Sequence, residues 1–336
     1  MVQPAEQHPQ AVLLYKERDP QMKKVAILEN LGITAEALGE FKNKFAGEVE
    51  FSEYAKTFDV PTLIEEAKDA DAVMIANMPL PGAVISACDK LRFIDVAFTG
   101  VDHVDLKAAA AKNIKVSNAS GFSNEAVSEL VIGMAISVLR NITETQVRAR
   151  TGGTKDGLVG CELMDKTVGI VGCGRIGRRT AEMLRVFGCE ILAYNRNIHK
   201  DMPEYIKQVS LEELLRASDI VVLHCPLNDS TRGMIDYGKL CMMKKSAILI
   251  NVARGPVTNE DDLARALKEG VIAGAAVDVF TKEPPLPEDT QMLQTPNTLV
   301  TPHIAFATKE SMLRRAAIVF DNLRAWLDGG QNNIIV

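Results

Sequence analysis

Between residues 167 and 177 the chain reads Thr167-Val168-Gly169-Ile170-Val171-Gly172-Cys173-Gly174-Arg175-Ile176-Gly177, a β-branched run that breaks into G-x-G-x-x-G where an amphipathic helical pattern begins. Few strings constrain a fold more. A strand has to end, turn tightly and feed a helix: Gly172 permits the turn, Gly174 lets backbone approach a ligand, and Gly177 lets helix pack on strand. The amides of Arg175 and Ile176 open that helix, at the positive end of its dipole. A pyrophosphate suits such a cradle, so the segment predicts a dinucleotide site.

The surrounding pattern supports that context. Strands are expected at Cys189 to Tyr194, Asp219 to His224, Ser246 to Val252, Val271 to Val279 and Thr298 to Thr301. Helical stretches alternate with them: one is capped by Ser210 with Glu213 three residues on, and another runs from Asn259 to a stop at Gly270. With Thr167 to Val171 this makes six strands in an α/β, doubly wound parallel sheet. The first 115 residues repeat the alternation less regularly, with strands expected at Val25 to Glu29, Ala72 to Ala76 and Phe93 to Ala97. Asn124 to about Arg150 reads as one bridging helix, apolar all round in its first half and so buried on several sides. Lys309 to Leu327 is helical and belongs to no strand of the second sheet; it is expected to pack back on the first unit.

Composition removes several classes of function. There are 38 Lys and Arg against 44 Asp and Glu, a net charge of -6, with no basic cluster to neutralise a phosphate backbone, so no nucleic-acid partner is expected. The longest apolar run, Leu130 to Leu139, is about half of what a bilayer span needs, so no membrane partner is expected either. Ala11 to Tyr15 is too short for a signal-peptide core and is preceded by acidic Glu6, which predicts a cytoplasmic location. Six cysteines, at 88, 161, 173, 189, 225 and 241, show no zinc-ligand spacing, so no metal is expected and the thiols should be reduced.

Residues at the ends of the expected strands carry the chemistry. After the second strand an acidic residue would normally hold the adenosine ribose; Asn195 and Arg196 stand there instead. Asn195 can still bond a ribose, it does not repel a 2′-phosphate, and Arg196 can pair with one, so NAD and NADP both fit, with a lean to NADP. Arg254 follows the fourth strand, Glu283 the fifth and His303 the sixth. That edge of an open α/β sheet is where ligands bind. Arg254 offers a fork of donors for a carboxylate and positive charge beside a carbonyl oxygen that gains negative charge. His303 can protonate that oxygen and take the proton back, and Glu283 can orient the imidazole.

The strings around these residues are Asn251-Val252-Ala253-Arg254-Gly255, Val277-Asp278-Val279-Phe280-Thr281-Lys282-Glu283-Pro284 and Thr301-Pro302-His303-Ile304-Ala305. With the glycine fingerprint, they make the chain resemble the D-isomer-specific 2-hydroxyacid dehydrogenases. The resemblance covers nearly everything after about residue 70. It implies a homodimeric enzyme that interconverts a small 2-oxo acid and its (R)-2-hydroxy acid with NAD(P)H. Arg254 would bind the substrate carboxylate and carbonyl, His303 would be the acid/base and Glu283 its partner. Thr99 and Gly100 would take the carboxylate's other side through their amides, and Asp278 would hold the nicotinamide carboxamide. His224, Pro226 and Thr231 match the segment passing the cofactor, and Val252 and Ala253 line the same path. The implied domains are a flavodoxin-like substrate domain of residues 1–118 and 304–336, and a Rossmann-type nucleotide domain of residues 119–303 inserted into it. Dimerisation would run through the nucleotide domain and the bridging helix, and the first 22 residues would be an extension beyond the usual start.

Departures from the family's patterns narrow the substrate. Val96 stands where phosphoglycerate dehydrogenases carry an arginine, and Glu283 where formate dehydrogenases carry glutamine, so phosphorylated acids and formate are disfavoured. Phe306 resembles the aromatic lining the pocket of D-lactate dehydrogenases; Met78, Leu80, Phe98 and Met312 are further candidates for apolar walls or plain core. An uncharged or apolar 2-oxo acid side chain is expected. The competing reading is a dinucleotide-sensing, corepressor-like binding protein, against which the intact Arg254, Glu283 and His303 set argues.

Overall fold

The computed structural model describes residues 22–283 and 285–336; residues 1–21, and with them nearly all of the expected extension, lie outside the described residues. Two parallel sheets carry the fold. The first contains β1 (Lys23–Ile27), β2 (Val49–Glu53), β3 (Ala72–Ile75), β4 (Phe93–Val96) and β5 (Lys115–Asn118) in the order β2-β1-β3-β4-β5. Helices α1 (Ala35–Asn43), α2 (Val60–Ala67), α3 (Gly82–Ala87) and α4 (Leu106–Ala111) make the crossovers. Three strands were expected here and five are present. The two extra ones, β2 and β5, are the outermost, and their sequences VEFSE and KVSN mix polar with apolar residues because one edge of each lacks a parallel partner.

The chain then leaves the first sheet through α5 (Asn124–Leu139) and α6 (Ile142–Arg150). The single bridging helix expected here is two helices bent by 61°, because Asn141 takes a left-handed conformation at φ 52 and ends the first. The first half is buried as expected, with Val131, Met134 and Ala135 nearly inaccessible, whereas no residue of α6 is buried. Among the described residues no single helix is long and apolar enough to cross a membrane.

The second sheet holds seven strands: β6 (Thr167–Val171), β7 (Glu190–Tyr194), β8 (Ile206–Gln208), β9 (Ile220–Leu223), β10 (Ile248–Asn251), β11 (Gly274–Val277) and β12 (Thr298–Val300), ordered β12-β11-β10-β9-β6-β7-β8. Six were expected; β8 is a three-residue edge strand with Lys207 and Gln208, too short and polar to read as one. Around it lie α7 (Arg175–Val186), α8 (Leu211–Ala217), α9 (Tyr237–Leu240) and α10 (Glu260–Lys268). Ser210 and Asn259 cap α8 and α10 through their side chains.

Last comes α11 (Lys309–Leu327), and it returns to the first unit. Val319, Phe320 and Leu323 are buried in the first core, the Phe320 ring stacks on Phe41 at 5.0 Å, and Trp326 stacks on Phe93 at 5.3 Å. Burying each of these large side chains contributes roughly 1.5–3 kcal/mol. The C-terminal residues then lie antiparallel on β5, with the Ile335 amide donating to the Val116 carbonyl at 2.8 Å. The second sheet is thus inserted in the chain between parts of the first, and a cleft opens between them.

Candidate active site

The glycine loop sits where the order of the second sheet reverses, between β6 and β9. Gly172 has φ 93 and lies so close to the end of β9 that a Cβ would stand 2.5 Å from the Cys225 amide nitrogen, so no other residue fits there. A Cβ on Gly177 would meet the Gly172 carbonyl at 2.7 Å, while the space beside Gly174 is open. No side chain caps α7, which leaves its first amides free to receive an anion. Asn195 donates nothing to the protein: its Oδ1 accepts from the Cys173 amide at 2.7 Å and its Nδ2 is buried with no partner. These features fit a dinucleotide, with the open approach at Gly174 for its pyrophosphate and the unpaired Asn195 amide beside its ribose.

A cleft of about 1040 Å³ runs from this loop to the first sheet. Gly172, Gly174, Arg175, Ile176, Gly177, His224, Pro226, Val252, Ala253, Arg254 and His303 line it from one side, and Thr99, Gly100 and Phe306 from the other. A smaller adjoining pocket, lined by Asn195, Arg196, Pro226 and Thr231, continues it past the end of β7. Desolvation pushes the His224 imidazole down to about 3, so it is neutral, and its Nε2 lies 3.0 Å from the Thr180 hydroxyl on α7. Burial pushes the Cys173 thiol up to about 11 and keeps it protonated. No group of His, Cys, Asp and Glu among the described residues could hold a metal ion.

Arg254 follows β10 in a loop braced by Asn251, whose Oδ1 accepts from the Ala253 amide and whose Nδ2 donates to the Arg254 carbonyl, both at 3.1 Å. Its guanidinium donates through Nη1 to the Ala253 carbonyl at 2.9 Å and through Nε to Asp102 Oδ1 at 3.2 Å. The other Nη atom lies against Gly100, where a Cβ would be 1.9 Å from it. Arg254 therefore reaches across the cleft and is matched there to the Thr99-Gly100 turn. Asp102 had no role assigned from the sequence. Its place in the same short loop was the one available signal.

His303 has a left-handed backbone, φ 58, rare for a non-glycine residue. The loop is held in that shape from below by Asp278, which is fully buried: its carbonyl accepts from the His303 amide, and its two carboxylate oxygens accept from the Thr301 hydroxyl and from the Ile304 and Ala305 amides. Asp278 is not among the residues lining the cleft, and its carboxylate supports the histidine loop. The imidazole Nδ1–H donates to Glu283 Oε2 at 2.5 Å. Phe98 and Phe306 stand edge-on to the ring, at centroid distances of 5.8 and 5.3 Å, and Phe122 closes the aromatic cluster behind them. Met78 and Leu80 are wholly buried in the first core, and Met312 packs on Gly32, so of the apolar wall candidates only Phe98 and Phe306 line the cleft.

Residues 132–305 match the family described as D-isomer specific 2-hydroxyacid dehydrogenase, NAD binding domain. A glyoxylate reductase of Thermofilum pendens is 39% identical over 276 residues, covering 80% of this chain and 81% of that protein. The chain belongs to this dehydrogenase family. Among solved structures, a D-lactate dehydrogenase of Aquifex aeolicus complexed with NAD and lactic acid superposes with a TM-score of 0.82 at 27% identity, over 91% of this chain and 96% of that one. An acyclic imino acid reductase in complex with NADPH and D-Arg superposes with a TM-score of 0.86 at 25% identity, over 93% and 100%. The family carries with it a nicotinamide dinucleotide cofactor and 2-hydroxyacid dehydrogenase chemistry on a small substrate.

Proposed function

We propose that the protein reduces a small 2-oxo acid to the (R)-2-hydroxy acid and catalyses the reverse, with Arg254, His303 and Glu283 as the working set. The observation that carries this reading is the convergence, in one cleft beside the glycine loop, of a guanidinium at the end of β10 and an imidazole after β12 that is paired to a carboxylate. Bound reduced nicotinamide supplies the hydride. Arg254 holds the substrate carboxylate, shared with the amides of Thr99 and Gly100, and its charge stabilises the oxygen that becomes negative at C2. His303 gives that oxygen its proton through Nε2, the nitrogen not bonded to Glu283, and Glu283 fixes the ring's orientation. The balance is one oxo acid, one hydride and one proton giving one hydroxy acid. In oxidation each step runs backwards.

Phe98 and Phe306 supply apolar surface beside the imidazole, which suits an uncharged substrate side chain. Asn195 and Arg196 support NADP alongside NAD as cofactor, and the working form is read as a homodimer in the cytoplasm. The test is spectroscopic: oxidation of NADH and NADPH is followed with glyoxylate, hydroxypyruvate, pyruvate and branched-chain or phenyl 2-oxo acids. Turnover with at least one is expected. Absence of turnover with every pair would end this reading.

A further inference from the structure

We propose that Asn118 is a positioning residue for the substrate carboxylate: it orients the peptide between Thr99 and Gly100 and ties it to the segment where the chain crosses from one sheet to the other. The proposal rests on the reading above in which the Thr99 and Gly100 amides receive that carboxylate.

Asn118 is the last residue of β5; it is 6% exposed and does not line the cleft. Its Nδ2 donates to the Thr99 carbonyl at 2.7 Å. A trans peptide is planar with its C=O and N–H on opposite sides, so holding the Thr99 carbonyl toward Asn118 sends the Gly100 N–H away from it. Gly100 lines the cleft, with the Arg254 guanidinium beside it. Among the described residues neither the Thr99 nor the Gly100 amide donates to a protein acceptor, whereas the Phe98 amide just before them donates to the Val96 carbonyl at 2.7 Å. The Val101 and Asp102 amides that follow also lack a protein acceptor among the described residues, so this cleft-lining loop offers a ligand a run of donors, and Asn118 holds the peptide that carries one of them, that of Gly100.

Asn118 is itself held on all sides. Its Oδ1 accepts from the Ser120 amide at 3.2 Å, in the crossing segment that leads to α5 and lines the cleft. Its backbone amide donates to the Asn333 carbonyl at 3.2 Å, and its carbonyl accepts from Asn322 Nδ2 on α11 at 3.0 Å. Asn322 is fully buried; its Nδ2 also reaches Asp95 Oδ1 at 2.9 Å, and its Oδ1 accepts from Asn333 Nδ2 at 2.9 Å. The side chain cannot turn without breaking its bonds to Thr99 and Ser120, and its backbone is fixed by Asn333 and Asn322. Any relative movement of the two units that flexes the segment after β5 therefore reaches the Thr99-Gly100 peptide through one amide group.

The test uses the full chain with Asn118→Asp, which keeps the shape and the acceptor for Ser120 and removes the donor to Thr99, and with Asn118→Ala. KM and kcat for the oxo acid, cofactor Kd by fluorescence titration and Tm are measured. Weakened carboxylate binding is expected to raise the oxo-acid KM about tenfold, with kcat within about threefold and cofactor Kd within about twofold of the parent. An unchanged KM in a folded variant overturns the proposal. So does a parallel loss of kcat and cofactor binding, or failure of both variants to fold, since each assigns Asn118 to the general stability of the fold. Arg254→Lys separates the two layers: if it raises KM and Asn118→Asp does not, this inference falls alone, and if neither moves KM the carboxylate site itself is misread.

Discussion

Asp102 and Arg254 form an ion pair between the two units, Oδ1 to Nε at 3.2 Å, although 152 residues separate them in the chain. The arginine is mostly covered and the aspartate is about one-third exposed, so the pair's own contribution to stability is small, on the order of 1 kcal/mol or less. Its consequence for binding is larger. The pair uses the Nε edge of the guanidinium, leaving an Nη atom beside Gly100 for an anion.

Removing Arg254 leaves the Asp102 carboxylate facing an anionic substrate without compensation. Arg254→Ala is expected to lower kcat/KM for the oxo acid about 10³-fold, losing both ground-state and transition-state contacts. Adding Asp102→Ala to that variant should recover about three- to tenfold by removing the repulsion, a non-additive result for a pair in contact. Steady-state kinetics of the two single variants and the double variant check this; strictly additive losses would show that Asp102 does not sense the substrate's charge.

His303 is the only group in the cleft with both a free ring nitrogen and a bonded carboxylate partner among the described residues. His303→Gln is expected to reduce kcat by about 10²–10⁴, the usual contribution of a positioned acid or base. Glu283→Gln preserves a hydrogen-bond acceptor for Nδ1 while removing its charge, and a smaller loss of about tenfold follows. Cofactor affinity, read by fluorescence, should stay the same in both. A His303→Gln variant retaining most of its kcat would move the proton transfer elsewhere.

Much of this was legible in the chain before any coordinates. The strand-turn-helix at 167–177 was clear because its glycines have local reasons, at Gly172 and Gly177, that no other residue meets. The ends of β10 and β12 could be read because β-branched runs there stop at residues with obvious chemistry. What escaped depended on distant partners. β5 is a weak strand by itself, and its Ser117 and Asn118 are acceptable in a core only because Asn332, Asn333 and Asn322 meet them some 200 residues later. The role expected of Asp278 came from the family resemblance alone, and nothing local announced that the loop after the next strand would fold over it. The break at Asn141 was hidden because the helical pattern continues through it, and only the backbone shows the left-handed residue.

Asp95 offers a test of the first core's electrostatics. It is fully buried on β4 and its Oδ2 has no partner, so burial raises its carboxyl well above the usual 3.8, with the Asn322 bond opposing more weakly. The folded protein thus keeps a proton that the unfolded chain releases above about pH 4. Because the native state binds more protons over that interval, stability falls as pH rises from the unfolded value towards the folded one, by about 1.4 kcal/mol per pH unit. Asp95→Asn retains an acceptor for Asn322 and cannot titrate. Urea unfolding from pH 4 to 8 is expected to show the variant gaining on the parent as pH rises, with the two alike at pH 4; a parent that is the more stable at pH 7 would mean the carboxylate is ionised and compensated.

In the function proposed above, the choice between the two nicotinamide cofactors rests on Asn195 and Arg196. Asn195 spends its oxygen on the Cys173 amide and keeps a buried, unpaired Nδ2, so in that proposed function it offers an adenosine ribose only a donor; a carboxylate in its place would offer acceptors for the two hydroxyls. A donor suits a phosphate oxygen better than it replaces a diol clamp. Arg196 is exposed, lines the same pocket and forms no ion pair among the described residues, so its guanidinium is available to a 2′-phosphate. Arg196→Ala is expected to raise KM for NADPH about tenfold, the order of one partly exposed charge-assisted contact, and to leave KM for NADH within about twofold. Asn195→Asp should act in the opposite sense, repelling the phosphate and accepting from the ribose hydroxyls, and shift the NADH to NADPH ratio of kcat/KM towards NADH. Equal responses of the two cofactors to Arg196→Ala would place its side chain in solvent and return the choice to NAD.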